Sequence, residues 1–313
     1  MERPSIGGQA VIEGVMMRNN EKYATAVRTS DQKIVLDKRE YVSLTKRYKV
    51  LGLPLIRGGV AFLESMVIGM KILTFSAEFF EVEGEEQAPS KFEKFLEAKF
   101  GDRMNDIVIA ISMVLALALS IGLFFIVPAF LSQIMGRFLP EGRWMNLMDG
   151  IIRIFILIGY VYLISRMKDI QRVFEYHGAE HKTINCYESG DEVTIENVMK
   201  HSRFHKRCGT NFIFIIVTVS IVVLTIINVQ TFWLRIGVRL LALPLIAGIS
   251  YELLKIFGKF DNGLINIFAS PGMALQRITT REPDESQVEI AITAFMNVLE
   301  ESTWKDEPID ESA

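Results

Sequence analysis

Cysteine, histidine and tryptophan are scarce in this sequence. Its 313 residues include 2 cysteines, 4 histidines and 3 tryptophans. Two cysteines exclude a disulfide framework of the kind that stabilises small secreted domains. The net charge is only −3, which argues against a nucleic-acid partner. Residues 1–50 contain no long apolar run, so we expect no secretory signal peptide.

Hydrophobic residues are abundant, at 50% of the chain, and they form long blocks. We predict four transmembrane helices over about residues 107–131, 148–165, 212–232 and 234–257, because such blocks match the thickness of a bilayer. The first block has no charged residue in 25 positions. The last contains Arg235 and Arg239, which we expect to extend toward the lipid headgroups.

The distribution of lysine and arginine predicts the orientation of these helices. Residues 1–54 contain ten of these cations, and the segment between the second and third spans (166–211) contains eight. The segments after the first and third spans contain two and none. Because cytoplasmic loops are enriched in positive charge, we predict a multi-pass protein of the cell membrane with both termini and the 166–211 loop in the cytoplasm. Membrane lipid is then the expected partner, whereas the oligomeric state is not indicated.

Residues 55–80 are the most ambiguous part of the membrane region. They are apolar enough for a fifth span, but that span would place the ten cations of residues 1–54 outside. Arg57, Glu64 and Lys71 also interrupt the apolar surface. We therefore favour a helix that lies at the membrane interface or is re-entrant.

The flanking segments complete a fold that is mainly α, with a small β-unit at its start. Short β-prone runs within residues 1–54 alternate with polar breaks, at Asn19-Asn20 and at Ser30-Asp31, and predict a cytoplasmic antiparallel β-unit. Residues 81–105 are predicted to form an acidic linker and a helix. Within residues 258–302 an amphipathic helix is expected after Asp284. The tail, 303–313, is expected to be disordered.

All the histidines and cysteines lie within residues 177–208. They are His177, His181, Cys186, His201, His205 and Cys208. The histidines form two pairs with a spacing of four, and on a helix such residues point to the same side and can chelate one ion. We place the first pair on a helix that continues from the second span, and the second pair on a helix capped by Thr194. The expected cofactor is a divalent metal, most simply zinc.

The first histidine pair has the H-x-x-E-H pattern of the inverted zinc hydrolases, over residues 177–181. In that pattern the histidines bind the metal, and the glutamate, here Glu180, is the general base toward a water molecule. Soluble enzymes of this kind take a third ligand some seventy residues downstream. Glu252 lies at 71 positions after His181, and Glu188, His205 and Cys208 are alternatives.

Several longer motifs resemble those of the YqhQ-like family of bacterial membrane proteins. They are IGGQAVIEGVMMR (residues 6–18), YHGAEHKTINCYE (176–188), HKRCGT (205–210), PGMALQ (271–276) and TTREP (279–283). The resemblance covers nearly the whole chain. It implies several membrane spans and metal-dependent chemistry, although that expectation for the family depends on the same histidine motif.

Three functions are compatible with these patterns. The first is a membrane-bound metal-dependent hydrolase that acts at the cytoplasmic face, with His177 and His181 as ligands and Glu180 as general base. The second is a scaffold or assembly factor whose zinc is structural, since Cys186, His201, His205 and Cys208 would provide four ligands. Metal transport is a weaker third, because the spans contain no histidine and few acidic residues. The sequence does not indicate a substrate.

Overall fold

The computed structural model describes residues 6–79, 104–135, 143–227, 231–259 and 263–299. Within these residues the chain is mainly helical, with one small sheet. The strands are β1 (Ile6–Val11), β2 (Gly14–Asn19), β3 (Lys22–Arg28) and β4 (Ile34–Glu40). The helices are α1 (Leu44–Arg47), α2 (Ile56–Glu78), α3 (Met104–Ile121), α4 (Val127–Met135), α5 (Arg143–Ile164), α6 (Lys168–Ser189), α7 (Ile195–Lys200), α8 (Gly209–Ile226), α9 (Phe232–Lys259), α10 (Gly263–Thr279) and α11 (Glu285–Leu299).

The predicted fold class is confirmed: a helical membrane protein with an N-terminal β-unit. Four helical segments that are long and apolar enough to cross a membrane coincide with the predicted spans: Ile111–Met135, Asn146–Ile164, Gly209–Ile226 and Ile236–Gly258. In the first of them, α3 and α4 join through a π-helical turn at Gly122–Ile126. Helix α2 is a fifth segment with sufficient length and hydropathy. Most of the predicted acidic linker and helix of residues 81–105, up to residue 103, lies outside the described residues, as does the tail of residues 303–313.

The N-terminal β-unit is an antiparallel meander with strand order β1-β2-β3-β4. Turns occur at both predicted polar breaks, and Asn20 takes a positive φ of 56° in the first. A further turn, which was not predicted from the sequence, lies at residues 12–13, where the chain reverses and Val11 pairs with Gly14. Glu13 adopts a positive φ of 49° in this turn, and its carboxylate binds Arg172 and Tyr176 of α6.

Both faces of the sheet are buried, which is why β2 and β3 read as nearly continuous apolar runs. Val15, Met17, Ala24 and Ala26 point to one face, where they pack with side chains of α6 and α11. The apolar stripe of α11 docks there, as predicted. The N-terminus of α11 is fixed by a reciprocal cap between residues 284 and 287, in which each side chain accepts a hydrogen bond from the backbone N–H of the other.

The opposite face of the sheet packs against α2. Val11, Met16 and Tyr23 contribute from the strands, and Ile68 and Ile72 from the helix. The sheet is therefore a layer between α2 on one side and the α6–α11 pair on the other. Strand β1 contacts both α2 and α6, and this position brings its backbone next to the candidate site.

The chain divides into two compact units. The first contains the sheet, α2, α6, α10, α11 and the adjoining halves of α8 and α9. The second contains α3, α4 and the remaining parts of α5, α8 and α9. In the second unit Arg239 does not extend to the headgroups, contrary to expectation. It is 2% exposed, and its Nη1 donates a hydrogen bond of 2.9 Å to Asp149. The side chain of Arg235 lies outside the described residues.

Candidate metal centre

Helix α6 carries the H-x-x-E-H motif where the helix passes between β1 and the loop after α10. The glycine of the motif is required by this packing, because a Cβ atom on Gly178 would lie 1.9 Å from the carbonyl oxygen of Arg281. The backbone N–H of Arg281 in turn bonds the carbonyl of Phe174. The helix ends at Gly190, which has the left-handed conformation (φ 95°) common at helix C-termini. His177, Glu180 and His181 thus lie on a rigid, well-packed element.

The second histidine pair does not lie on a helix, which corrects the sequence-based expectation. Thr194 caps α7 as predicted, but the helix ends at Lys200. Side chains of α6 bind the carbonyl groups that would have continued it: Lys182 donates to residues 199 and 201, and Asn185 donates to residues 202 and 204. The extended loop that results, residues 201–208, follows α6 and leads to Cys208 at the N-terminus of α8.

His177, His181 and Cys208 converge, and we refer to them as the histidine–cysteine cluster. One ligand atom from each lies within 4.8 Å of the other two. The His177 Nε2 atom is 3.2 Å from the Cys208 sulfur, and the two imidazole centroids are 4.4 Å apart. The cluster is largely enclosed, because His181 and Cys208 are buried. This geometry brings two nitrogens and one sulfur to a common point.

The hydrogen bonds of the two imidazoles determine which nitrogens face that point. Nδ1 of His177 lies 2.8 Å from the carbonyl oxygen of Thr279, and Nδ1 of His181 lies 2.6 Å from that of Arg203. A carbonyl oxygen only accepts, so both Nδ1 atoms donate, and in the neutral form of each ring the Nε2 atom carries the lone pair. The Nε2 atom of His181 is buried and has no hydrogen-bond partner among the described residues. Imidazoles that are oriented by backbone carbonyls in this way are typical of metal sites.

Burial governs the protonation of the cluster. It lowers the pKa of His181 well below the ordinary value, and proximity to His177 adds to this effect, so the His181 ring is neutral and available as a ligand. Burial raises the pKa of the Cys208 thiol, whereas hydrogen bonds from residues 210 and 211 oppose the rise. The thiol also lies at the N-terminus of α8, where the helix dipole favours a thiolate.

Glu180 lies beside the cluster. Its carboxylate is 4.0 Å from Nε2 of His177. Burial is the main reason that the pKa of Glu180 is raised to about 7, while His177 and a hydrogen bond from the backbone N–H of Gly8 lower it. Gly8 belongs to β1, and a Cβ atom there would lie 2.8 Å from the Glu180 side chain. The carboxyl group is therefore enclosed by the sheet on one side and faces the histidines on the other.

The other predicted ligands lie elsewhere. His205 is the nearest, with its ring centroid 5.7 Å from that of His181, but its Nε2 lies 3.3 Å from Glu188. His201 binds Asp191 at 2.9 Å. Cys186 packs in the core between the sheet, α6 and α11. Glu252 accepts a hydrogen bond of 2.6 Å from Arg57. Of the predicted ligands, the structure therefore brings three together: His177, His181 and Cys208.

Sequence reasoning missed the residues that hold the cluster in place. They include Gly8 and the carbonyl groups of Arg203 and Thr279. Gln276 is another: its side chain accepts from the backbone N–H of His205 and donates to the carbonyl of the same residue, which fixes the loop before Cys208. All of these lie in or near the longer motifs of residues 6–18, 205–210, 271–276 and 279–283. The motifs indicate where such residues are, but not which atoms they bind.

A groove lies on α10, beside the loop that leads to Cys208. Its volume is about 350 Å³, and its wall includes Phe204, Lys206, Asn266, Ala269, Met273 and Arg277. The groove is thus mainly apolar, with two cationic residues.

Fold and cluster together define a polytopic membrane protein with a buried, metal-compatible site next to a small β-sheet. The chain belongs to the family described as "Protein of unknown function (DUF1385)", which matches residues 53–301. It is also 35% identical over 297 residues to the "Uncharacterized protein YqhQ" of Bacillus subtilis (strain 168), covering 95% of this chain and 92% of that protein. The Bacillus protein is therefore a relative of this chain. No solved structure matches the chain.

Proposed function

We propose that this protein is a membrane-bound metal-dependent hydrolase that binds a divalent ion, most simply zinc, at the histidine–cysteine cluster. The observation that carries the proposal is the convergence of three ligand atoms within 4.8 Å, together with a buried His181 Nε2 that has no hydrogen-bond partner in the described part of the chain. An unsatisfied buried acceptor is costly, and a metal ion would satisfy this one.

The composition of the cluster supports a catalytic site over a closed one. Structural zinc sites are almost always completed by four protein ligands, whereas catalytic sites have three and leave one position open. Among the described residues, the cluster contains three. The ion would supply a water molecule with a pKa lowered to about 7.

Glu180 is the candidate general base, because its carboxylate faces the cluster from 4.0 Å without belonging to it. In the proposed hydrolysis it would accept a proton from the attacking water and later donate one to the leaving group. The hydrogen bond from Gly8 holds the carboxylate in this orientation.

A Glu180→Gln variant tests this assignment, with Glu175→Gln on the same helix as a matched control. Zinc content is measured on the purified proteins, and turnover is measured on a panel of acyl esters, phosphate esters and peptides. We expect both variants and the unmodified protein to bind zinc. Only Glu180→Gln should lose turnover, because an amide cannot accept the proton. A zinc-loaded Glu180→Gln protein with normal turnover would exclude the hydrolase mechanism.

A structural zinc site is the second candidate, and the burial of the cluster favours it. His205 is close enough for a change of its rotamer to supply a fourth ligand. In that case Glu180→Gln would be nearly silent, whereas His181→Ala would lose both the metal and the order of the 201–208 loop.

We also propose that the cluster faces the cytoplasm and that both termini lie there, in the cell membrane. The lysine and arginine distribution supports this orientation. Because the sheet, α6 and α11 form one core, they must lie on the same side of the membrane. Cysteines introduced at Glu141 and Val229 should react with an impermeant maleimide in intact cells, and one at Ser189 should not. Labelling of Ser189 from outside would reverse the orientation.

Membrane lipid is the partner that the groove on α10 supports. Its apolar wall suits an acyl chain, and Lys206 and Arg277 suit an anionic headgroup. We expect Arg277→Ala to reduce the amount of phosphatidylglycerol that copurifies with the detergent-solubilised protein while leaving the amount of phosphatidylethanolamine unchanged. Equal amounts of both lipids in the variant and the unmodified protein would contradict this.

A further inference from the structure

Helix α2 is long enough to cross a membrane, but only half of it is free to do so. Its C-terminal half packs on the sheet through Ile68 and Ile72. The sheet carries charged side chains such as Lys22, Asp37 and Arg39 along its strands, so it lies in water. Residues 56–67 remain, and at 1.5 Å per residue they span about 18 Å, which is short of a hydrocarbon core of about 30 Å.

The segment before α2 begins at the level of the middle of the helix. The Glu64 carboxylate accepts hydrogen bonds from the hydroxyl of Ser43, at 2.8 Å, and from the backbone N–H of Leu44, at 2.6 Å. Residues 43–55 therefore run away from this point, and α2 returns to it. Residues 43–67 form a hairpin whose tip is the short 3₁₀ turn at Lys49–Gly52 and the residues up to Leu55.

The tip reaches well along the membrane-spanning part of α9. A Cβ atom on Gly248 would lie 2.2 Å from the carbonyl oxygen of Leu55. Gly248 is ten residues before Gly258, where the apolar segment of α9 ends, which corresponds to about 15 Å along the helix axis. The guanidinium of Arg57 is neutralised at this depth by Glu252. The ion pair allows both charges to enter the bilayer at reduced cost.

Past the three exposed cations of its first arm, Lys46, Arg47 and Lys49, the outward surface of the hairpin is mainly apolar. Val50 is 67% exposed and Leu53 is 51% exposed. On α2 the exposed positions follow one helical face: Ile56, Leu63, Met66, Val67, Met70 and Leu73. A continuous apolar surface of this kind is not stable in water, and its continuity with the lipid-facing part of α9 indicates that lipid covers it.

The number of times that the chain crosses the membrane also indicates that α2 does not cross it. The sheet before α2 and helix α6 share one core, so an even number of crossings must separate them. The α3–α4 segment and α5 provide two. Residues 81–103 contain 11 charged residues and are too polar for another span. A single crossing by α2 would make the number odd.

We infer that residues 43–67 form a re-entrant hairpin that enters the bilayer from the side of the sheet and returns to the same side. Lipid is its partner, and Arg57–Glu252 is the polar contact that fixes it to α9. The chain then has four crossings, and its sheet and the 81–103 segment lie on one side of the membrane.

The side of the membrane on which each segment lies is tested with three variants of the full-length protein in cell membranes. They are Ser30→Cys, which lies in the turn after β3, Ser90→Cys and Glu141→Cys. The native cysteines are buried, so the unmodified protein sets the background. A membrane-impermeant maleimide is added to one side of the membrane at a time. We expect Ser30→Cys and Ser90→Cys to react from the same side and Glu141→Cys to react from the other side. Reaction of positions 30 and 90 from opposite sides would establish a crossing by α2 and overturn the inference.

The depth is tested with nitroxide labels on Val50→Cys and Ser30→Cys in phosphatidylglycerol–phosphatidylethanolamine vesicles. We expect oxygen to relax the nitroxide at position 50 much more strongly than a water-soluble nickel complex does. The label at position 30 should show the reverse. If position 50 is accessible to nickel as position 30 is, the hairpin lies outside the bilayer and the inference is wrong. Neither measurement depends on metal binding or hydrolysis.

Discussion

Two groups of buried polar side chains lie in different units of the molecule, and they leave opposite kinds of atoms unsatisfied. In the histidine–cysteine cluster the unsatisfied atom is the Nε2 lone pair of His181, an acceptor. In the second group, which we name the arginine–aspartate cluster (Asp149, Arg153 and Arg239), the unsatisfied atoms are the Nε–H groups of the two arginines, which are donors. Lone pairs that converge attract a cation, whereas two guanidinium groups repel one. The first cluster is therefore a metal site candidate and the second is not.

The arginine–aspartate cluster is organised around its only carboxylate. One oxygen of Asp149 binds Arg239 at 2.9 Å, and the other binds Arg153 at 3.0 Å. Arg153 also donates to the hydroxyl of Ser220 and lies 5.4 Å from the ring of Phe125. These contacts tie α5, α8 and α9 together within the second unit, which is the structural use of buried charge in membrane helices.

The largest effect is expected when this carboxylate is removed. Asp149→Asn leaves two buried guanidinium groups without a counter-charge, and the loss of one partner from a buried ion pair costs about 3–5 kcal/mol of unfolding free energy. Thermal denaturation in detergent measures the change, with exposed Asp169→Asn as control. Arg239→Met should cost less, because it leaves a neutral Asp149–Arg153 pair. Equal effects of the two substitutions would mean that the carboxylate is not central.

Removal of a cluster ligand should have the next largest effect. His181→Ala should reduce zinc content to background and abolish the increase in melting temperature that added zinc causes. For a site at one hundred times its dissociation constant that increase corresponds to about 2.7 kcal/mol. His201→Ala is the matched control and should bind zinc normally, because its ring binds Asp191 instead. Loss of zinc in both variants would place the second histidine pair in the site.

A substitution that crowds the close approach of two backbone segments near the site should have a moderate effect on stability. In Gly178→Ala the new methyl group meets the carbonyl of Arg281 at 1.9 Å, so α6 and the loop after α10 must separate. Overpacking of this kind costs about 1–3 kcal/mol. Gly159→Ala, also within a helix, has open space around its Cβ position and should be neutral or slightly stabilising. Comparison of their melting temperatures shows whether the close approach matters.

Local geometry explains why the core of the candidate metal site could be predicted from the sequence. His177 and His181 share a side of α6 because the helix repeat places them there, and Glu180 follows from the same repeat. Their proximity to Cys208 was expected from the confinement of these residue types to one short segment. The sheet turns at residues 20 and 31 followed from local turn propensity.

Contacts distant in sequence explain the rest. The second histidine pair left the helix because Lys182 and Asn185 bind the carbonyl groups of that segment, and no propensity describes such competition. Glu252 was a candidate ligand from its spacing alone. Its partner, Arg57, is 195 positions away, and this pairing depends on how α2 meets α9. The inferred re-entrant hairpin depends on the same contact, and hydropathy does not indicate such a contact.

The smallest expected effects distinguish a three-ligand site from a four-ligand one. Asp191→Asn removes the negative charge of the partner of His201, and Glu188→Gln removes that of the partner of His205. Both carboxylates are substantially exposed, with side-chain exposures of 57% and 37%, so each substitution should cost less than about 1 kcal/mol. If zinc is bound by His177, His181 and Cys208 alone, both variants should bind it as the unmodified protein does in a competition titration with a chelator. A loss of about 10–100-fold in affinity for Glu188→Gln only is the effect of disturbing a group that orients a metal ligand. That result would make His205 the fourth ligand and favour the structural zinc site over the hydrolase.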